Sequence, residues 1–96
     1  MSPRFVSVAE QELREALDYY EATQPGLGSR LLDEVEASLG RIASHPDAWT
    51  RISPRTRRCR VNHFPFGLCY QIRSSEIVVV AVMDLRRDPR RWEERI

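Results

Sequence analysis

The 96 residues are 42% apolar and 30% charged, enough for one modest core and too apolar for a chain disordered along its whole length. The net charge of +1 conceals a division: residues 1–48 hold four arginines and nine carboxylates, net −5, and residues 49–96 hold eleven arginines and five carboxylates, net +6. Such a division suits a polyanion or an acidic partner on the second half, or simply two solvated faces, and the complete absence of lysine leaves no amine to act as a base or Schiff-base former.

A domain of this size is expected to be single, spanning 1–96, and only marginally stable. The longest apolar run, residues 77–83, is of strand length and far short of a membrane span. The first twelve residues lack the apolar core of an export signal, so the expectation is a soluble cytoplasmic protein. Two cysteines do not form a disulfide scaffold.

Residues 4–7 alternate weakly and read as a short first strand. Ser7-Val8-Ala9-Glu10 fits a capping box. Ala9, Leu13, Ala16, Leu17 and Tyr20 then trace one face of a helix that Pro25-Gly26 ends near Ala22 or Thr23. Glu10, Arg14, Asp18 and Glu21 fall on its wet face. Leu27, Leu31, Leu32, Val35, Leu39, Ile42 and Ala43 trace a second helix, stopped at or before His45 by Pro46. The short link makes the two an antiparallel hairpin.

After a loop over residues 46–56, the hydrophobic period changes from 3.6 to 2. Strands run through residues 58–63, 68–73 and 76–83 as an antiparallel meander with turns at Pro65-Phe66 and Ser74-Ser75. Those turns pair Val61 with Tyr70, Cys59 with Ile72, Ile72 with Ile77 and Tyr70 with Val79. One face then carries Cys59, Val61, Leu68, Tyr70, Ile72, Ile77, Val79 and Ala81 toward the helices. The other carries Arg58, Arg60, Asn62, Cys69, Gln71, Val78, Val80 and Val82. The two cysteines fall on opposite faces and should not be bonded. The last strand is apolar on both faces, which places the first strand beside it. Asp88-Pro89 reads as a cap and first helical residue for a short C-terminal helix over residues 90–95.

Few chemistries have the residues they need. His45, Cys59, His63 and Cys69 have no metal-ligand spacing, glycine-rich phosphate loops and a nucleophile elbow are absent, and the helix acids sit at solvated spacing. Only His63 and Asp84 stand as acid–base candidates. The arginines are the strongest signal: Arg57, Arg58 and Arg60 open the meander, and Arg86, Arg87, Arg90 and Arg91 follow it. Strand alternation sends Arg57 and Arg58 to opposite faces and makes two basic patches. These suit phosphate or carboxylate, with Trp92 and Tyr70 available for stacking, or else pair with the helix acids.

In this order and spacing the sequence resembles the ParE/RelE superfamily of bacterial type II toxins. The resemblance rests on A-x-x-E-L-x-E-A-x-x-Y-Y-E from Ala9, Pro25-Gly26-Leu27-Gly28, Ala43-Ser44-His45-Pro46, Arg57-Arg58, Phe64-Pro65-Phe66-x-x-x-Tyr70 and Arg86-Arg87-x-Pro89-x-x-Trp92. It implies an α+β fold, β-α-α-β-β-β, with the helical hairpin on one face of the meander. It also implies a toxin neutralised by an antitoxin with an acidic or amphipathic C-terminal segment. The RelE-like branch cuts messenger RNA on the ribosome with basic residues and an aromatic. In that case Arg58, Arg60, Arg87 and Trp92 would form the catalytic set, but Gly67 stands where that branch has an arginine. The ParE-like branch poisons DNA gyrase.

The expectation is therefore a ParE-like toxin that inhibits gyrase by binding, without metal or cofactor, with no membrane partner, and neutralised by a cognate acidic antitoxin. It would be a homodimer or a toxin–antitoxin hetero-oligomer. The alternatives are a ribosome-dependent messenger endoribonuclease and a degenerate toxin fold serving as a binding module. The antitoxin is expected on Arg58, Arg60 and an exposed patch of Val78, Val80 and Val82. The target is expected on Arg86, Arg87, Arg90, Arg91 and Trp92.

Overall fold

The computed structural model describes residues 3–96. The chain enters its first helix directly from strand β1, Arg4–Phe5. The Val6 amide still donates to Val79 O at 3.0 Å, while Val6 O already accepts from the Glu10 amide at 3.0 Å. Ser7 is therefore the first residue of helix α1, Ser7–Thr23, and the expected capping box does not form. Glu10 pairs instead with Arg14 at 3.0 Å.

Pro25-Gly26-Leu27-Gly28 acquires a physical meaning at the junction with helix α2, Leu27–Ser44. Gly26 sits at φ +89°, a left-handed conformation that favours glycine. The Glu21 carboxylate accepts from the Gly26 amide at 3.1 and 3.0 Å and from the Gly28 amide at 3.1 Å, capping α2 from the end of α1. A Cβ at residue 28 would lie 2.9 Å from Leu17 O, so glycine there lets the helices close on each other.

Five strands form one sheet in the order β1-β5-β4-β3-β2, from β2 Thr50–Arg51, β3 Arg57–Arg60, β4 Phe66–Arg73 and β5 Glu76–Asp84. β1 lies beside β5, as its two-sided apolar character requires, and pairs with it in parallel. The other pairings are antiparallel. β2 was not foreseen; it falls in the segment read as loop and pairs Thr50 with Arg58 and Arg51 with Arg57.

Two registers differ from expectation. β3 meets β4 with Cys59 opposite Leu68, and Val61 N donates to Phe66 O at 2.9 Å, so the turn is a wider loop over residues 62–65. The cause is core packing: Phe64 and Phe66 are buried edge-on to Tyr20, with centroids at 5.3 and 6.1 Å, and a tight turn would expose them. The slip is even, so each β3 side chain keeps its face. Between β4 and β5 the expected pairs Ile72–Ile77 and Tyr70–Val79 are present, but a bulge between Cys69 and Tyr70 gives β5 one extra residue. Beyond it the faces exchange. Val82 turns toward the helices and Ala81 toward the opposite side.

Each face of the sheet buries its own core. On one, Ala9, Leu31, Val35 and Ile42 pack on Leu68, Tyr70, Ile77, Val79 and Val82. Ile72, expected under the helices, lies beyond them and stays 45% exposed. On the other, Cys69, Val78, Val80, Ala81 and Met83 are covered by Trp92, with Ile52, Leu85 and Ile96 packed alongside. The C-terminal segment thus folds back over the second face. Val78, Val80 and Val82 are 0%, 3% and 4% exposed, so the exposed valine patch expected as an antitoxin surface does not exist. The expected C-terminal helix shortens to a 3-10 turn, Pro89–Trp92, which Asp88 caps by accepting from the Arg90 amide at 3.0 Å. Cys59 and Cys69 are free and belong to opposite cores.

β1 ends before β5 does, and Glu12 and Arg95 take its place. The Glu12 carboxylate accepts from the Val82 amide at 3.0 Å, and Arg95 Nη1 donates to Val80 O at 2.9 Å. The two side chains also bind each other at 3.1 and 2.6 Å, and Trp92 Nε1 donates to Glu12 at 2.7 Å. At the end of β5, Asp84 accepts from the Arg86 amide and guanidinium at 3.0 to 3.1 Å and from Arg87 at 3.3 Å. The bonds to Arg86 hold the Asp84 carboxyl below the usual aspartate range, outweighing the opposing effect of partial burial.

Two predictions follow from these clusters. Glu12→Ala leaves a strand amide, an indole N–H and a guanidinium without their acceptor. Loss of one partner of a partly buried ion pair with these bonds should cost about 2–4 kcal/mol. At this chain length that lowers Tm by at least about 10 °C in a thermal melt. For Asp84, a depressed folded pKa means its stabilising share is fully present above the unfolded value of about 3.9 and is lost as pH falls through the folded value. Urea melts should show the gap between wild type and Asp84→Asn constant from neutral pH to about pH 5, then closing in acid.

Candidate functional site: two arginine groups

β2 covers only Arg57 and Arg58 of β3, and where it runs out a groove of about 520 Å³ opens. Arg41 of α2, Trp49, Thr50 of β2, Arg58 and Arg60 of β3, and Asn62 line it. Arg41 is held by Ser38 Oγ at 2.8 Å. Arg58 lies across Gly67, where a Cβ would stand 2.7 and 2.8 Å from its Cδ and Cγ, and its head approaches Met83 Sδ at 3.8 Å. Glycine at the position where the RelE-like pattern has an arginine thus makes room for the stem of Arg58.

Among the described residues, no carboxylate lies within 4.0 Å of Arg41, Arg58 or Arg60. The groove is also lined by no carboxylate, imidazole or phenol. Guanidinium groups donate hydrogen bonds and stay protonated. The arrangement can hold an anion and has nothing to accept a proton.

Arg57 points to the other face, as strand alternation requires. It donates to Trp49 O at 2.9 Å, lies 3.9 Å from Asp47, and lines a separate pocket with Arg51, Arg55 and Ile72.

The second group borders a groove of about 410 Å³ between α1 and the segment after β5, lined by Glu12, Tyr19, Tyr20, Asp84, Arg86, Arg87, Arg91 and Trp92 among others. Here the charges are largely engaged. Arg86 and Arg87 clamp Asp84, and Arg90 binds its own cap, Asp88, at 2.6 Å. Arg91 lies over the Trp92 ring, 5.6 Å from its centroid. Arg86, Arg87 and Arg90 therefore pair with carboxylates of their own segment, and among the described residues only Arg14 and Arg95 bind acids of the helices by direct ion pairs.

Neither expected stacking residue offers a face. Trp92 is a core side chain whose N–H is bound to Glu12. Tyr70 is fully buried, its hydroxyl donates to Pro46 O, and burial pushes its pKa up to about 12. The aromatic that is available, Tyr19, was missed: it is 61% exposed at the rim of the second groove, edge-on to Tyr20 at 5.2 Å. Its signal was its place one residue off the apolar stripe of α1.

His63 is one of the two acid–base candidates read from the sequence. It stands exposed in the 62–65 loop at φ +69°, with Nε2 3.3 Å from Glu34. Burial raises both thiols, Cys69 to about 12, so neither is poised as a nucleophile. The structure thus gathers Arg58 and Arg60 with Arg41, keeps Arg86, Arg87, Arg90 and Arg91 as a separate group, and removes Trp92, Val78, Val80 and Val82 from the surface. No helix among the described residues is long and apolar enough to cross a membrane.

A family model for the ParE toxin of the type II toxin–antitoxin system parDE matches residues 4–89. Among solved structures, the chain is similar to one from the chromosomal ParDE TA system of P. aeruginosa, at 15% identity and a TM-score of 0.77, over 88% of this chain and 96% of that one. At that identity the likeness speaks to fold alone: two helices on a mixed five-stranded sheet with a short C-terminal turn. No curated protein matches. With the family pattern extending from β1 to the turn that closes the chain, this protein belongs to the ParE toxin family of type II toxin–antitoxin systems.

Proposed function

We propose that this toxin acts by binding: it inhibits DNA gyrase and is neutralised by an acidic antitoxin. The observation that carries the reading is the unpaired arginine groove with no proton acceptor in its walls. Cleavage of RNA through its 2′-hydroxyl needs a group to take that proton, and a positioned base contributes about 10²–10⁴-fold to such a step. Arg58 and Arg60 could stabilise charge on a phosphate, but they cannot supply that factor. Binding requires only charge and shape, and the ParE family supplies the context of an antitoxin partner.

On this reading the target is met by the second arginine group. Arg90 and Arg91 project from the 3-10 turn, and Tyr19 stands exposed on the opposite rim of the groove beside it. Arginine and tyrosine are the residues that most often anchor protein interfaces.

Purified toxin set against gyrase supercoiling and, in parallel, against a message on translating ribosomes tests the proposal. The expected outcome is blocked supercoiling, or cleaved DNA accumulating on gyrase, with the message intact. The double variant Arg90→Ala/Arg91→Ala should weaken inhibition at least about tenfold while its Tm stays within a few degrees of wild type. Codon-specific cuts in the message with gyrase untouched would overturn the proposal and make Arg58, Arg60 and Arg87 candidates for catalysis.

A further inference from the structure

We infer that the pocket of Arg51, Arg55 and Arg57 binds a doubly charged phosphate group, either free or as the monoester of a small organic molecule. The site lies on the face of the sheet opposite Arg58, and it stands whichever macromolecule the toxin acts on. Arg51 of β2 is directly opposite Arg57 of β3. Opposed residues of an antiparallel pair share a face, with Cβ atoms about 4.5–5.5 Å apart, and like charges there destabilise the pair. A third guanidinium, Arg55, comes from the loop joining the two strands, and the three line one pocket of about 200 Å³ with Asp47, Tyr70 and Ile72 among the other walls. Among the described residues, Asp47 is the one carboxylate within 4.0 Å of any of them; it lies 3.9 Å from Arg57 and is 84% exposed. An exposed contact at that distance offsets little of the repulsion.

The arginines are held by neutral groups rather than by counter-ions. Arg57 Nη1 donates to Trp49 O at 2.9 Å, and Arg51 Nη1 donates to Pro54 O at 2.7 Å. A guanidinium has five N–H donors, so each keeps most of its donors for a ligand. The carbonyls orient the two cations without cancelling their charge. Groups fixed before binding lose little freedom when the anion arrives.

Charge and size select the ligand. Three guanidiniums and one carboxylate leave the lining with two positive charges in excess, which a dianion balances. A phosphate monoester carries close to two negative charges at neutral pH and three strong acceptor oxygens, enough to meet more than one guanidinium fork. A carboxylate brings one charge and two oxygens, and each phosphodiester of a nucleic acid brings one charge. The volume is below the roughly 300 Å³ at which pockets for whole organic ligands begin, so the pocket takes the phosphate and leaves any organic part outside. Ile72, 45% exposed, supplies an apolar rim for that part.

Isothermal titration of the intact chain at fixed ionic strength tests the site, with inorganic phosphate, phenyl phosphate, dimethyl phosphate and acetate as probes. The variants are Arg51→Gln, Arg55→Gln, Ile72→Ser and, on the opposite face, Arg58→Gln. Inorganic phosphate and phenyl phosphate should bind saturably. Arg51→Gln and Arg55→Gln should each weaken both at least about tenfold, the loss expected for hydrogen bonds to a charged group. Arg58→Gln should bind as wild type does. Without ligand, Arg51→Gln should melt no lower than wild type, because it relieves the cross-strand repulsion. Tighter binding of phenyl phosphate, with the advantage lost in Ile72→Ser, assigns the site to a monoester; equal affinity for the two assigns it to free phosphate.

The inference is overturned if neither phosphate binds saturably, or if acetate or dimethyl phosphate binds as tightly. It falls equally if Arg58→Gln weakens binding as much as Arg51→Gln does. A lower Tm for Arg51→Gln with phosphate affinity unchanged would leave Arg51 as a prop for the Pro54 carbonyl alone, and Arg55→Gln, altered in an exposed loop, reads the site even where Arg51→Gln disturbs the strand pair.

Discussion

The Glu12–Arg95 pair stands in for a strand. β5 is a central strand with a partner along its whole length on the β4 side and only a two-residue partner on the other. An open edge leaves backbone groups unpaired and invites pairing with other chains. Here one carboxylate takes the Val82 amide and one guanidinium takes Val80 O, and they bind each other between. Both side chains are only partly exposed, so their attraction is less screened than that of a surface pair. Because Arg95 and Trp92 belong to the C-terminal segment, the same carboxylate that closes the edge draws that segment over the sheet. The second core follows from it. Trp92 covers Val78 and Val80, Thr56 donates to Ile96 O at 2.9 Å, and Gln71 donates to Arg95 O at 3.3 Å.

This cluster also explains what was and was not legible. Periodicity located both helices, the meander and the place of β1, because each depends on neighbours close in sequence or on a simple count of apolar faces. Loss of the capping box has a local cause: β1 runs into α1 with no residue left over, so Ser7 is already helical. The β3–β4 slip did no harm to the assignment of faces because it is even. The bulge did, because one extra residue sends Ala81 and Val82 to the sides opposite those expected. No residue type marks that bulge; it is settled by how β4 and β5 pair in three dimensions. Glu12 was read among solvated acids, although its spacing from Ala16 and Tyr20 sets it on the edge of the apolar stripe. What it binds lies 70 to 83 residues further along the chain, beyond the reach of any local pattern.

The valine patch shows a different limit. Alternation correctly gives Val78 and Val80 to the second face, but it cannot say what covers that face. In a chain of this size a second apolar face is either an interface or a second core, and the choice rests with the last eight or so residues. Asp88 and Pro89 start the turn that brings Trp92 down, and Glu12 fixes it there. Once that happens, the sheet has little apolar surface left for a partner. Exposed are charge at the β2–β3 side, the arginine and tyrosine groove along α1, Ile72 at the strand end, and Val8 and Leu32 on the helices.

The distribution of partners among the arginines then separates structure from binding. Arg95 holds the fold together, and Arg86 and Arg87 close the end of β5. Each is answered by an acid. Among the described residues Arg41, Arg58 and Arg60 are answered by none, as are Arg30, Arg51, Arg55, Arg73 and Arg91, but these three line one groove and two of them are held in place by their neighbours. Fixing like charges together without a counter-ion costs stability. A surface group with no structural use for that arrangement would relax into water or pair with one of the carboxylates of the first half. Gly67 sharpens the point. A glycine inside a strand weakens it, and here the space it leaves is filled by the stem of an arginine with no carboxylate within 4.0 Å among the described residues. The strand thus gives up local stability to hold a cation in a fixed place, which is the arrangement a site for an external anion requires.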